Sequence, residues 1–195
     1  HSYIGKQMTI TLRKANTLQL SIKEAIAGFK INTKASLNEH EPWVEVLANK
    51  RNEVQVAVTA KSDLNTALYE IRKAVANANS ISGINDFLAG LALLETEISA
   101  TNTLLAAGVR DSTAAIDGSL KDLVAEKSSV NMYGSPSPVT VSIFDKAAND
   151  SFAIKLKTLK RQKVTIKDAL LGLNITTTIT LGEDTVATLA EHGII

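Results

Sequence analysis

The sequence predicts a mainly α-helical protein of long antiparallel helices with heptad patterns and short β segments at the helix ends. Hydrophobic residues make up 45% of the 195 residues but aromatic residues only 4%, so the core must be aliphatic, which suits helix packing. Apolar residues recur at alternating spacings of four and three over several long stretches. A two-residue rhythm rich in β-branched residues, typical of a strand, follows the last of these stretches.

The first predicted helix begins around Thr9 and closes at Phe29, and the polar residues 31–41 connect it to the next element. Residues 41–60 have two interpretations. Pro42 suits a first helical turn and one helical face is apolar, whereas the alternation "VQVAV" at 54–58 resembles a strand. We favour a helix that continues into the following one.

Two further helices are predicted by apolar seams in the middle of the chain. One seam is formed by Leu64, Leu68, Ile71, Val75 and Ala78. The next helix opens near Asp86. The following segment, 106–150, is predicted to be an irregular insertion with a short helix at 120–125 and one strand at 139–144.

The last long helix has the clearest pattern. Its seam consists of Phe152, Leu156, Leu159, Lys163, Ile166, Leu170 and Leu173, in which Lys163 alone is polar. Asn174 stands where the period changes, and asparagine adopts the left-handed conformation that closes helices. A strand is predicted from Ile175 to Leu181.

One sequence pattern of twelve residues occurs twice. Residues 22–33 read "IKEAIAGFKINT" and residues 166–177 read "IKDALLGLNITT", and they are identical at half of their positions. Both windows have the pattern of an apolar helix that ends in a short, hydroxyl-rich extended segment. The question is whether these helix ends bind something or only terminate helices.

Composition narrows the class of function. The formal net charge is +1, so we expect no general binding of nucleic-acid polymers. The absence of cysteine excludes disulfides, thiolate catalysis and cysteine-bound metals. No apolar run has the length of a membrane span and no signal peptide is visible, so we expect no membrane partner and a cytoplasmic location.

The chain length predicts one helical domain, residues 1–195. Narrow seams with few aromatic residues bury little area per helix, so we expect a homo-oligomer, a dimer or higher, whose bundle the partner completes. A monomeric bundle is the alternative.

Enzyme signatures are missing from the sequence. It contains no glycine-rich phosphate loop, no GxSxG elbow and no pair of histidines at metal-ligand spacing. We therefore expect neither catalysis nor a cofactor or metal.

Two helix ends remain as candidate ligand sites. Arg72 and Lys73 precede Asn79 and Ser82 in the first of them. The second carries Asn174, Thr176 and Thr177. Amides and hydroxyls both donate and accept hydrogen bonds, as recognition of a base or ribose requires, and lysine or arginine can hold a phosphate. The alternative is that Asn caps the helices and Thr only favours the strand.

These residues also resemble the motifs of two related groups, the septicolysin-like small helical proteins and the phage Thoeris anti-defence sponge proteins of the first type. In those families a helix ends in Ile/Val-x-x-[ST]-N-x-x-[ST], which is similar to Val75–Ser82 with Asn79 at the asparagine. Their last helix ends in a motif similar to Asp168–Thr177, with Asn174, Thr176 and Thr177 at its polar positions.

The resemblance implies a phage anti-defence protein that binds and sequesters a cyclic nucleotide second messenger, in a pocket where helix ends of two subunits meet. The messenger would be a cyclic ADP-ribose isomer or a cyclic oligonucleotide, bound without turnover in the host cytoplasm. In this interpretation Asn79 and Asn174 contact base or ribose, Ser82, Thr176 and Thr177 support them, and Arg72 or Lys73 holds phosphate. The alternatives are a structural or assembly helical bundle without a small ligand, and a hydrolase acting on the same nucleotides.

Overall fold

A computed structural model of the chain describes the backbone of residues 6–129 and 137–195. The elements in chain order are β1 (Met8–Thr11), α1 (Leu12–Gly28), α2 (Trp43–Ile81), α3 (Ile84–Ala106), α4 (Thr113–Ser129), α5 (Lys146–Thr176), β2 (Thr178–Leu181) and α6 (Glu183–Glu191). The predicted mainly α class is confirmed. Within the described residues, no helix combines the length and the apolarity needed to cross a bilayer.

The chain divides into two compact units. The first unit comprises residues 1–86 and 169–195, and the second comprises residues 87–168. Two compact units can belong to one folding domain, so the single domain stays a prediction.

In the first unit, β1 and β2 form a two-stranded antiparallel sheet from the two ends of the sequence. Residues 9–12 and 178–181 both read Thr-Ile-Thr-Leu, and Ile10 lies opposite Ile179. Both isoleucines are buried, whereas the hydroxyls of Thr9 and Thr180 lie 3.3 Å apart on the other face. The alternation places an apolar face on the core.

The sheet explains why α1 begins later than predicted. Residues 8–11 pair with β2, so the helix starts at Leu12 rather than around Thr9. The Thr11 hydroxyl accepts a hydrogen bond from the backbone N–H of Lys14 at 3.2 Å and caps the helix. One face of α1 is buried and consists of Leu12, Ala15, Leu18 and Ile22.

Helix α2 is continuous from Trp43 to Ile81, as we favoured over a strand at 54–58. Its 39 residues measure about 58 Å. Helices α1 and α6 and strand β2 pack on it. Its buried residues are Ala60, Leu64, Ala67, Leu68 and Ile71, so none precedes Ala60. The helix is capped by Ser82, and Gly83 turns the chain with φ +78°.

Replacing Gly83 with Ala should lower the free energy of unfolding by about 1–2 kcal/mol, because an L side chain strains that left-handed conformation. No atom blocks the added Cβ, so the strain alone acts. Gly172→Ala is the matched control, and its change in the free energy of unfolding should have the opposite sign. It lies inside α5 with open space around its Cβ position and should stabilise by about 0.5–1 kcal/mol. Urea unfolding measures both changes, and equal effects would contradict the assignment of the turn.

The two repeated segments, residues 22–33 and 166–177, differ in where the helix ends. Helix α1 stops at Gly28, whereas α5 continues past Gly172 to Thr176. The prediction that Asn174 closes the helix is wrong, because Asn174 is helical and no described non-glycine residue has positive φ. The Thr176 hydroxyl donates to the Gly172 carbonyl at 3.0 Å, and the Thr177 N–H donates to the Leu173 carbonyl at 2.8 Å. These bonds extend the helix, so the strand begins at Thr178 rather than Ile175.

In the second unit, α3 runs antiparallel to the first part of α5. Lys155 forms an ion pair with Glu97 at 2.9 Å and Lys163 with Glu95 at 2.8 Å. The Cδ1 of Ile166 lies 3.5 Å from the position of a Cβ at Gly90. The polar intruder in the predicted seam, Lys163, is therefore explained by its carboxylate partner.

The ion pair with Lys163 predicts a pH dependence. The hydrogen bond from Lys163, followed by its charge, lowers the pKa of Glu95 below its ordinary 4.5. A lowered folded-state pKa stabilises the folded form above the unfolded pKa, and this contribution is lost as the pH falls through the folded pKa. Glu95→Gln and Lys163→Met should each remove the same acid-sensitive part of the unfolding free energy, measured by urea unfolding across acidic pH. Unchanged profiles would contradict the pair.

The segment before α5 differs from the prediction. Residues 139–144 are not a strand, because no strand among the described residues pairs with them. They are held instead by the Ser142 hydroxyl, which donates to the Gly108 carbonyl at 2.9 Å, and by an edge-to-face contact of Phe144 and Phe152. The short helix predicted at 120–125 lies inside the longer α4.

Candidate ligand site at the ends of α2 and β2

A cavity of about 380 Å³ lies in the first unit between the end of α2 and the strand β2. We call it the hydroxyl cavity. It is lined by Ala74, Asn77, Ala78, Ile81, Ser82, Thr177, Thr178, Ile179 and Thr180. The two motifs recognised in the sequence, distant along the chain, thus line one cavity.

The lining of the hydroxyl cavity is uncharged and mixed in polarity. Hydroxyl groups come from one serine and three threonines, an amide comes from Asn77, and the remaining residues are aliphatic. The Ser82 hydroxyl makes a long bond of 3.5 Å to the Asn79 carbonyl. Within the described residues, the Asn77 amide has no hydrogen-bond partner. The cavity therefore offers donors and acceptors beside apolar surface.

A second, larger depression of about 860 Å³ adjoins the hydroxyl cavity and shares Ala74, Asn77 and Thr180 with it. We call it the acidic groove, and it lies between α2 and the start of α6. Its charged residues are Asp63, Glu70, Glu183, Asp184 and Lys73. Four carboxylates and one ammonium give it a formal charge of −3.

The predicted site residues separate into three groups. Ser82 and Thr177 line the hydroxyl cavity, and Lys73 lines the acidic groove. The other four line neither depression and are Arg72, Asn79, Asn174 and Thr176.

Helical geometry explains this separation on α2. Ala74, Asn77, Ala78 and Ile81 follow spacings of three, one and three, so they share the face toward the cavity. Asn79 lies on another face, half-buried, and contributes its backbone carbonyl to Ser82. Arg72 is exposed.

On the C-terminal side, Asn174 and Thr176 belong to the helix that precedes the cavity. Asn174 is half-buried within α5, and the Thr176 hydroxyl is engaged by the Gly172 carbonyl. Only from Thr177 onward does the extended backbone place side chains beside α2.

Asn77, Thr178 and Thr180 line the cavity but were not among the predicted site residues. The helical spacing Lys73–Asn77–Ile81, four residues each, would have identified the first. The strand period would have identified the threonines, because Thr178 and Thr180 share the exposed face opposite Ile179 and Leu181.

The electrostatics bear on the predicted phosphate contact. Lys73 lies on the same depression as four carboxylates, so its charge is more than neutralised locally. An anionic group is therefore better accommodated at the uncharged hydroxyl cavity than in the acidic groove.

Among the described residues, no three His, Cys, Asp or Glu side chains are grouped so as to hold a metal ion. Comparison of the chain with protein families, with curated proteins and with solved structures found no match. The functional argument therefore rests on the site itself.

Proposed function

We propose that this protein binds a cyclic nucleotide signal in the hydroxyl cavity and sequesters it without turnover. The observation that carries the proposal is that the end of the first motif, Asn77–Ser82, and the end of the second, Thr177 with the strand that follows it, line one cavity. Their resemblance to anti-defence sponge proteins supplies the ligand class. The site of action would be the cytoplasm, that of the host if the chain is phage-encoded.

The chemistry of the lining supports a nucleoside group as the bound part. Hydroxyls and the Asn77 amide can pair with a base edge or ribose, and the exposed side chain of Ile81 offers apolar surface to a base. The volume of about 380 Å³ lies in the lower part of the range of about 300–1,000 Å³ found for ligand pockets. Because no charged side chain lines the cavity, we expect the phosphates at its mouth.

The test is a thermal-shift and calorimetric titration with cyclic ADP-ribose isomers and with cyclic di- and trinucleotides. A bound ligand raises the melting temperature by mass action. Thr178→Val removes one lining hydroxyl at nearly constant shape and should weaken binding about tenfold. Thr165→Val on α5 is the control, since that hydroxyl lies outside the cavity and bonds to the Arg161 carbonyl.

Sequestration without turnover also makes a chemical prediction. Heating the complex should release the ligand with its mass unchanged. A hydrolysed ligand would replace the proposal with an enzyme, and no thermal shift with any of these nucleotides would remove it.

A second candidate function, an assembly protein without a small ligand, is favoured by the thin core of the second unit. Among its residues whose burial is described, three are buried: Leu94, Thr101 and Leu159. Large apolar side chains are exposed there, including Ile143 at 77% and Ile154 at 69%. Co-purification with virion particles, without nucleotide binding, would favour this function.

A further inference from the structure

One face of α5 in the second unit combines an apolar strip with cations. It is lined by Ala153, Leu156, Lys157, Lys160, Arg161, Val164 and Thr165, and we call it the basic face. Val164 is 58% exposed. Its three cationic side chains are exposed as well.

The cations of this face differ from the two lysines of α5 that pair with α3. Lys155 and Lys163 are bound by the glutamates of α3. Lys157, Lys160 and Arg161 form no ion pair with any side chain in the described part of the chain. Three unneutralised charges beside exposed aliphatic carbon are suited to a partner surface that is acidic and contains small apolar residues.

The acidic groove of the first unit has those properties. Its formal charge of −3 is equal and opposite to the +3 of the basic face. None of its carboxylates belongs to an ion pair within the described residues. Between the charges, the half-buried Ala74 provides a small apolar surface, and the buried Ala67 and Leu181 lie beneath it. The complementary surface is thus present on the chain itself.

We propose that copies of this protein associate head to tail, with the basic face of one copy docked in the acidic groove of the next. Each copy then contributes its basic face to one contact and its acidic groove to another. Such a contact is heterologous, so it generates a closed ring or an open filament. The inference does not depend on nucleotide binding.

The overall charge favours a second copy over a nucleic acid as the partner. Polymer binding draws on a wide basic surface, whereas the chain has a formal net charge of +1 and the basic face carries only three cations. Binding of the basic face to a polyanion is therefore an outcome of the test rather than a second proposal.

The experiment is a charge swap measured by sedimentation velocity without nucleotide. The wild-type protein should self-associate, and raising NaCl from about 0.05 M to about 0.5 M should weaken association at least about tenfold. A face variant, Lys160→Glu with Arg161→Glu, should be monomeric. A groove variant, Asp63→Lys with Glu70→Lys, should be monomeric as well.

Mixing the two variants supplies the decisive result. Each variant keeps one native surface, so the native face of the groove variant can dock in the native groove of the face variant. The two reversed surfaces also match each other in charge, so the mixture should recover the association that each variant lacks. Recovery also shows that both variants are folded. The matched control is Lys14→Glu with Lys23→Glu on α1. It changes the net charge as the face variant does, but outside both surfaces, so it should associate like the wild type.

A monomeric wild type, variants that still associate, or a mixture that stays monomeric would each overturn the proposal. So would a face variant that associates normally but loses binding to a single-stranded or double-stranded oligonucleotide, because that result assigns the basic face to a polyanion.

Discussion

Replacing Ile71 with Ala is expected to lower the free energy of unfolding by about 2–5 kcal/mol. Ile71 is fully buried on α2, on the side where α1 and α6 pack. Truncation removes the transfer free energy of three carbon atoms and leaves a cavity that close-packed neighbours fill only in part. Urea unfolding followed by circular dichroism measures the loss.

Ile81→Ala on the same helix is the matched control. Ile81 is 80% exposed, so its truncation should change the unfolding free energy by less than about 0.5 kcal/mol. It lines the hydroxyl cavity, so it should nevertheless weaken nucleotide binding if the base packs there. Equal losses of stability in the two variants would contradict the assigned core.

The heptad seams predicted the long helices α2, α3 and α5, because burial on one face of a helix imposes that period. Leu64, Leu68 and Ile71, named from spacing alone, are buried in α2, and Leu159 and Leu170 are buried in α5. The pairing of β1 was not predicted. A strand of four residues has too few alternations to be distinguished from a first helical turn, and its partner lies at the other end of the sequence.

The prediction of a strand at residues 139–144 was wrong for a related reason. An alternating segment needs a pairing partner, and no strand in the described part of the chain pairs with these residues. The helix α6 was not predicted, because its nine residues are too few to show a sustained helical period. Its start is nevertheless marked by Glu183 and Asp184 in the first turn, where carboxylates favour a helix.

The site was predictable as a pair of segments but not residue by residue. Both motifs reach the cavity, yet Asn79 and Asn174, the residues that the resemblance emphasises, lie on helix faces that do not line it. Which face of α2 meets β2 depends on the sheet register and on α6. Neither is visible in a local motif.

Replacing Ile179 with Asp should have the other large effect, a loss of about 3–5 kcal/mol or failure to fold. Ile179 is 6% exposed in β2 and pairs with Ile10 across the sheet. A carboxylate there has no cation opposite it, because its cross-strand neighbour is an isoleucine. The charge is desolvated without compensation.

Thr178→Asp tests whether the loss of stability in Ile179→Asp arises because position 179 lies on the buried face of the strand. The same side chain is introduced one residue away on the exposed face, so it should cost less than about 1 kcal/mol. A loss as large as that of Ile179→Asp would contradict the strand assignment.

The double variant Ile10→Asp with Ile179→Asp then reports on the sheet as a unit. If β1 and β2 stay in place only by pairing with each other, either substitution alone already separates the two strands. The second charge then enters a strand that is exposed, so the double variant should lose clearly less than the summed losses of the two single variants. Additive losses would mean that the two strands are held independently, each by its own contacts with the helices.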